Sequence, residues 1–154
     1  MDGTTDLATL ARSCAAGRQT GLVHIASARR PYPVRHATDP AGTLLLLARA
    51  DEPLGRALTP VGDEEDVTVA VSLPAPDGVR LWLSGWSAPL TDPIEARAAA
   101  LAFADANPVG DLLDVERGAR LHRVEVAEVR LECPGGHLVE IDPEEYAAAV
   151  AATR

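Results

Sequence analysis

Arginines, carboxylates, four histidines and two cysteines are the groups able to do chemistry in this chain, and lysine is absent. Without an amine, Schiff-base formation and the lysine-dependent phosphate loop fall away. Positive charge gathers in one place: Arg29, Arg30, Arg35 and His36 follow closely on one another, with Arg18 and His24 just upstream. Guanidinium groups bind oxyanions in bidentate fashion, so this stretch fits an anion site for a phosphate or paired carboxylates. The plainer account is a solvated turn and strand edge. His24 stands among apolar neighbours and reads as a structural histidine. His122 and His137, with Glu132 and Cys133, lack the spacing of a closed zinc site and read as structural too. The acidic run Asp63–Asp66 lacks the oxygen-ligand periodicity of a calcium loop and reads as a solvated loop. No nucleophile elbow, zinc-protease helix, dinucleotide fingerprint or phosphate loop is present.

The elements that must position these groups are organised around a hairpin from Asp66 to Pro89. Val67, Val69, Val71 and Leu73 alternate with small or polar residues and share one face. Asp77-Gly78 behind a proline suits a short loop whose last residue has positive φ. The alternation then resumes, with Leu81, Leu83 and Gly85 on one face and Trp82, Ser84 and Trp86 on the other. Upstream, Leu7, Leu10, Ala11 and Cys14 predict a helix stripe, capped by Thr5 or Asp6 and ended by Gly17. Strands are expected at 21–26, 32–37 and 43–48, the third buried on both faces, followed by a short helix led by Pro53. Asp92-Pro93 opens a helix through Ala106 whose expected buried stripe is Ile94, Ala98, Leu101 and Ala102. Strands at 119–126, 128–133 and 137–141 follow, and Asp142-Pro143 opens a last helix. Seven or eight hairpin-linked strands with helices at the sides predict a closed or half-closed antiparallel barrel, since a flat sheet would leave exposed edges.

Bulk properties bound the function. The 154 residues suit one domain with an aliphatic core, being 47% hydrophobic but only 3% aromatic. A net charge of −9 repels phosphate backbones, which argues against nucleic acid as a partner. Cys14 and Cys133 form no CxxC pair, and no signal peptide or membrane-length apolar run is present. A soluble, cytoplasmic protein with two free thiols is expected. Trp82 and Trp86 share one side of a strand, and two indoles are costly to leave in water. Either the inserted helix or a second subunit must cover them.

Five strings go further: Tyr32-Pro-Val, Gly42-Thr-Leu-Leu-Leu-Leu47, Arg80-Leu-Trp-Leu-Ser-Gly-Trp86, Asn107-Pro with Leu112-Leu-Asp-Val, and Val139-Glu-Ile-Asp-Pro-Glu-Glu-Tyr146. With the element order, they resemble the FMN-binding split barrels of the pyridoxamine-phosphate-oxidase-like superfamily. The branch most similar is that of the haem-utilisation (HugZ-like) proteins and their actinobacterial relatives. Those relatives usually carry a further C-terminal DUF2470 domain, which is not expected in a chain ending at Arg154. The alanine- and arginine-rich composition fits a bacterial source with a GC-rich genome.

The resemblance implies an α+β, mainly β fold: one antiparallel split barrel over residues 1–154, with helices at 1–20, 92–106 and 143–152. It implies a homodimer that buries Trp82 and Trp86 and builds its cofactor site across the interface. It also implies that Arg35, with His36, Arg49 and Arg56 next, meets the acidic groups of any cofactor. Flavin-binding members grip the phosphate with a Ser or Thr, an Arg and a Lys after strand three. The corresponding Ala48-Arg-Ala-Asp-Glu-Pro-Leu54 keeps one arginine and adds two acids. Haem, weakly held FMN or no cofactor is therefore expected over tightly bound flavin. The resemblance admits three kinds of function: a flavin- or haem-binding redox protein related to tetrapyrroles, a cofactor-free regulatory dimer that binds protein, or a small-ligand binder.

Overall fold

The computed structural model describes residues 3–16, 18–115 and 117–150. In chain order the elements are α1 (Gly3–Ala15), β1 (Gly21–His24), β2 (Tyr32–Thr38), β3 (Leu44–Arg49), α2 (Pro53–Ala57), β4 (Val67–Pro74) and β5 (Arg80–Pro89). After these come α3 (Pro93–Ala106), β6 (Ala119–Glu132), β7 (Leu138–Ile141) and α4 (Pro143–Ala148). The sheet runs β3-β2-β1-β4-β5-β6-β7, and β3 pairs a second time with β6, so six strands close on themselves. Every pairing is antiparallel. The fold is the expected antiparallel split barrel with flanking helices. Closure satisfies the backbone groups that a flat edge would leave bare.

Side-chain alternation decides what lies inside. Val69, Val71, Leu73, Leu81 and Leu83 are buried in the barrel with Leu44, Leu46, Val124 and Val129. On β3 the odd residues Leu45 and Leu47 are equally buried, because α3 lays Phe103 against them from outside. That accounts for the unbroken apolar run of β3. The Asp77-Gly78 turn needs two left-handed residues, at φ 63° and 75°.

The structure corrects several boundaries and faces. The expected strands 119–126 and 128–133 are one strand, β6, bent where the register with β5 slips between Ser84 and Gly85. Ser84 opposes Glu128 and Gly85 opposes Val126, so Ala127 is the extra residue of a bulge. A side chain at Gly85 would overlap the Glu125 carbonyl oxygen, which is why glycine stands there. On α3 the expected stripe points the wrong way. Ile94 and Leu101 are 80% and 67% exposed, and Ala96 and Phe103 are buried instead. On α1, Ala8, Ala11, Cys14 and Ala15 are buried, whereas Leu10 is half-exposed. The Gly17 cap and the last two residues of the expected helix 143–152 lie outside the described residues. No described helix is long and apolar enough to cross a membrane.

Candidate functional site

Arg35 and His36 are neighbours in β2, so the pleat sends them to opposite faces. Arg35 is exposed on the outer face, whereas His36 is completely buried inside the barrel. The His36 Nε2 lies 2.8 Å from the Gln19 carbonyl oxygen, which fixes that nitrogen as the proton carrier. Its main-chain carbonyl accepts from the Asn107 side-chain amide at 2.9 Å, tying the end of α3 to β2. Burial lowers its pKa from 6.5, and the bond to Gln19 only partly offsets this. His36 therefore stands apart from the other three residues expected to meet a cofactor.

The β2–β3 register pairs Arg35 with Leu47, so Arg49 lies two residues along on the same outer face. The fold thus brings Arg35 and Arg49 together. The Arg49 Nη1 lies 3.3 Å from Asp114 Oδ2, in a half-exposed ion pair worth less than about 1 kcal/mol. Arg56 projects from α2 and donates to the Asp51 carbonyl oxygen. That helix sits hard on β3, since a side chain at Gly55 would overlap the Arg49 carbonyl. Beside Arg49, a cleft of about 360 Å³ is lined by Ala50, Pro93, Val115, Gly118 and Arg120, among others.

The outer face continues around the barrel. Trp82 pairs with Ser72, Ser72 with Leu22 and Leu22 with Pro33, and the β2–β3 register carries the row on to Arg49. Four strand spacings separate Trp82 from Arg49, about 19 Å along the curved sheet. In the middle of the row Ser72 is fully buried and accepts from the Arg80 guanidinium at 3.2 Å, Leu22 is half-buried and Pro33 is exposed, with an indole at one border and guanidiniums at the other. Trp82 is half-buried, donates its indole N–H to Glu132 at 3.1 Å and lies 5.0 Å from the His24 ring. Trp86 is 43% exposed. The helix α3 packs on β2 and β6 and covers neither indole.

The remaining soft ligands scatter. His122 is sealed inside the barrel, Glu132 is engaged by Trp82, and Cys133 and His137 flank the β6–β7 turn. A polar role that sequence reasoning missed is that of Arg12. It is only 6% exposed, and its Nη1 donates to the carbonyls of Tyr146 and Ala147 at 3.1 and 2.8 Å. The spacing of α1 gave no signal for it, because every partner is distant in sequence.

The residues present fit FMN poorly. A phosphate at the end of β3 would meet the exposed acids Asp51 and Glu52, with Arg56 already bonded to the chain. A flat macrocycle with two carboxylate tails suits the row better. It would lie along Leu22 and Pro33 and reach Arg35 and Arg49 at one border.

No family model and no curated protein matches this chain. Solved structures do. A haem-binding protein from Mycobacterium smegmatis is 21% identical with a TM-score of 0.72, over 98% of this chain and 62% of that one. An Agrobacterium tumefaciens protein of unknown function is 20% identical with a TM-score of 0.65, over 87% of this chain and 60% of that one. A Clostridium acetobutylicum protein related to general stress protein 26, of the pyridoxinephosphate oxidase family, is 11% identical with a TM-score of 0.63, over 95% and 99%. The chain spans about three fifths of the first two. At these identities the likeness is one of fold.

Proposed function

We propose that this chain is a tetrapyrrole-binding split-barrel dimer, with haem the ligand it is best fitted to hold. The reading also places it in the haem-utilisation branch of bacterial split barrels and in the cytoplasm. The observation that carries it is the outward row from Trp82 through Ser72, Leu22 and Pro33 to Arg49, with Arg35 diagonal to its end. In this reading the chain contributes apolar surface, an indole and two guanidiniums, while any redox chemistry belongs to the bound group. The likeness in fold to a haem-binding protein supports it.

Titrating haemin and FMN into the purified protein, followed by absorption, tests the reading. Haemin should saturate, and Arg35→Ala should weaken it by about ten- to a hundredfold, the worth of one charge-assisted contact. Protein that retains stoichiometric FMN through purification, or that ignores haemin, overturns it.

The dimer rests on the uncovered indole of Trp86 in a chain with two tryptophans. Sedimentation should show a two-chain species at micromolar concentration and a monomer for Trp86→Glu. A monomeric wild type sinks this part. A second reading, a cofactor-free dimer that binds protein, is favoured by the Arg49–Asp114 pair, which neutralises one of the two guanidiniums.

A further inference from the structure

We infer that the outward face of α3 is a contact between two copies of this chain, the helices lying antiparallel about a two-fold axis through Leu101. The inference rests neither on the haem-binding reading nor on the Trp86 contact.

The helix has two unlike sides. Ala96, Ala99 and Phe103 are turned to the barrel. With about 100° of rotation per residue, Ile94, Arg97, Ala98, Leu101 and Asp105 fall within one arc of roughly 100° on the opposite side. All five are exposed. The stripe is apolar at 94, 98 and 101, and nothing within the chain covers it.

Charge picks the occupant. Arg97 and Asp105 stand four residues to either side of Leu101, about 6 Å along the axis each way. Neither forms a hydrogen bond or ion pair among the described residues. Neither has an opposite charge three or four residues away on its own helix. In an antiparallel pair centred on Leu101, each residue opposes the one equally far beyond that centre. Arg97 of each copy then meets Asp105 of the other, so both charges find partners. Leu101 meets its own counterpart, Ala98 meets Ala104, and Ile94 reaches the far helix end at Pro108. Glu95 falls against Asn107, and no like charges are opposed. A parallel pair would set Arg97 on Arg97 and Asp105 on Asp105. Centring the pair on Ala98 would leave both charges unmatched.

The remaining side chains permit close approach. Ala98, Ala102 and Ala104 add little bulk, so the two axes can come to about 8 to 9 Å. Two copies at a net charge of −9 repel overall, and the matched pairs supply the local complement. One helix face is short of the roughly 1,200 Å² of a stable interface, so the contact should form near about 0.1 mM protein.

Sedimentation from micromolar concentration to about 1 mM tests this. The mass of the wild type should double in the upper part of that range, and that of Trp86→Glu should do so too. Arg97→Asp and Asp105→Arg, each alone, oppose like charges and should weaken the step about tenfold. An equimolar mixture of the two variants should restore it, because each copy then carries the complement of the other. In a Cys133→Ser background, Leu101→Cys should form a disulfide with its counterpart under air. Ala98→Cys, about 9 Å from its counterpart along the axis, should not. The substituted positions are exposed, and unchanged melting temperatures will show that the barrel survives. A wild type whose mass stays constant overturns the inference, as does a mixture no better than either variant alone. So does a step abolished by Trp86→Glu, or an Ala98→Cys that links as readily as Leu101→Cys. None of these outcomes touches the haem reading.

Discussion

Replacing Arg12 by methionine should lower the unfolding free energy by about 3–4 kcal/mol and the melting temperature by roughly 10 °C. The side chain enters from α1 and joins three segments that share no local sequence. Its Nη1 holds the carbonyls of Tyr146 and Ala147 in α4. Its Nη2 lies 3.4 and 3.3 Å from the carbonyls of Asp39 and Pro40 in the β2–β3 turn, and its guanidinium carbon is 5.6 Å from the Tyr146 ring centre. Carbonyls at a helix C-terminus carry partial negative charge, so a buried cation there is favourable. The fork of guanidinium donors matters as much as the charge. Methionine keeps the apolar stem but leaves those carbonyls without their donor in a partly dry site. Gly42 belongs to the same device. It is left-handed at φ 88°, and a side chain there would come within 3.1 Å of the Arg12 Nη1. Chemical unfolding of Arg12→Met and Arg12→Lys measures the effect, with lysine recovering less than half of it. A methionine variant within about 1 kcal/mol of wild type shows that the clamp is ornamental.

That clamp marks the limit of what the sequence discloses. The β4–β5 hairpin is legible because a period of two cannot be mistaken over eight residues, and its Asp-Gly turn has few other uses. The doubly buried β3 is legible from its run of leucines. The face of α3 is not. Ile94 and Leu101 outweigh the surrounding alanines in any periodicity, yet the helix turns Phe103 and Ala96 to the barrel. A helix made mostly of alanine has almost no preferred side, so the one large ring that fits between Leu45 and Leu121 decides the rotation. The bulge at Ala127 looked like a break between two strands for a similar reason. One inserted residue shifts the alternation without ending the pairing.

The candidate site was legible in part for geometric reasons. Arg35 and Arg49 are fourteen positions apart in sequence, and only the antiparallel pairing of β2 with β3 makes them neighbours. His36 follows Arg35 directly, and for that very reason the pleat carries it to the other side. The engagement of Arg49 with Asp114 joins the end of β3 to the turn before β6, a contact no local pattern encodes. The two tryptophans are the converse case. Their shared face was readable from a spacing of four in a strand, and the structure leaves that face uncovered by α3.

Acidification should cost this fold about 3 kcal/mol through His122 alone, between roughly pH 6.5 and pH 4. His122 is 1% exposed on the inner face of β6, opposite Leu46 and Pro89, and no hydrogen-bond partner reaches its Nδ1 among the described residues. Burial lowers its pKa from 6.5 to about 4, and the nearby Arg120 guanidinium pushes the same way. The folded state therefore favours the neutral ring. Above 6.5 both folded and unfolded chains keep it neutral, and the stability is intact. Below 6.5 the unfolded chain takes up a proton that the folded chain refuses, so stability falls until the folded pKa is reached. His36, also lowered by burial, adds a loss of the same sign. Carboxylates that titrate lower down weaken the fold in acid as well, so the comparison must be made against a variant. Denaturant unfolding of wild type and His122→Gln at pH 7 and pH 4 isolates the histidine. The variant should be the less stable protein at pH 7, yet lose about 3 kcal/mol less than wild type on acidification. Equal losses in the two proteins would mean that the ring titrates freely and that the barrel around it opens before it charges.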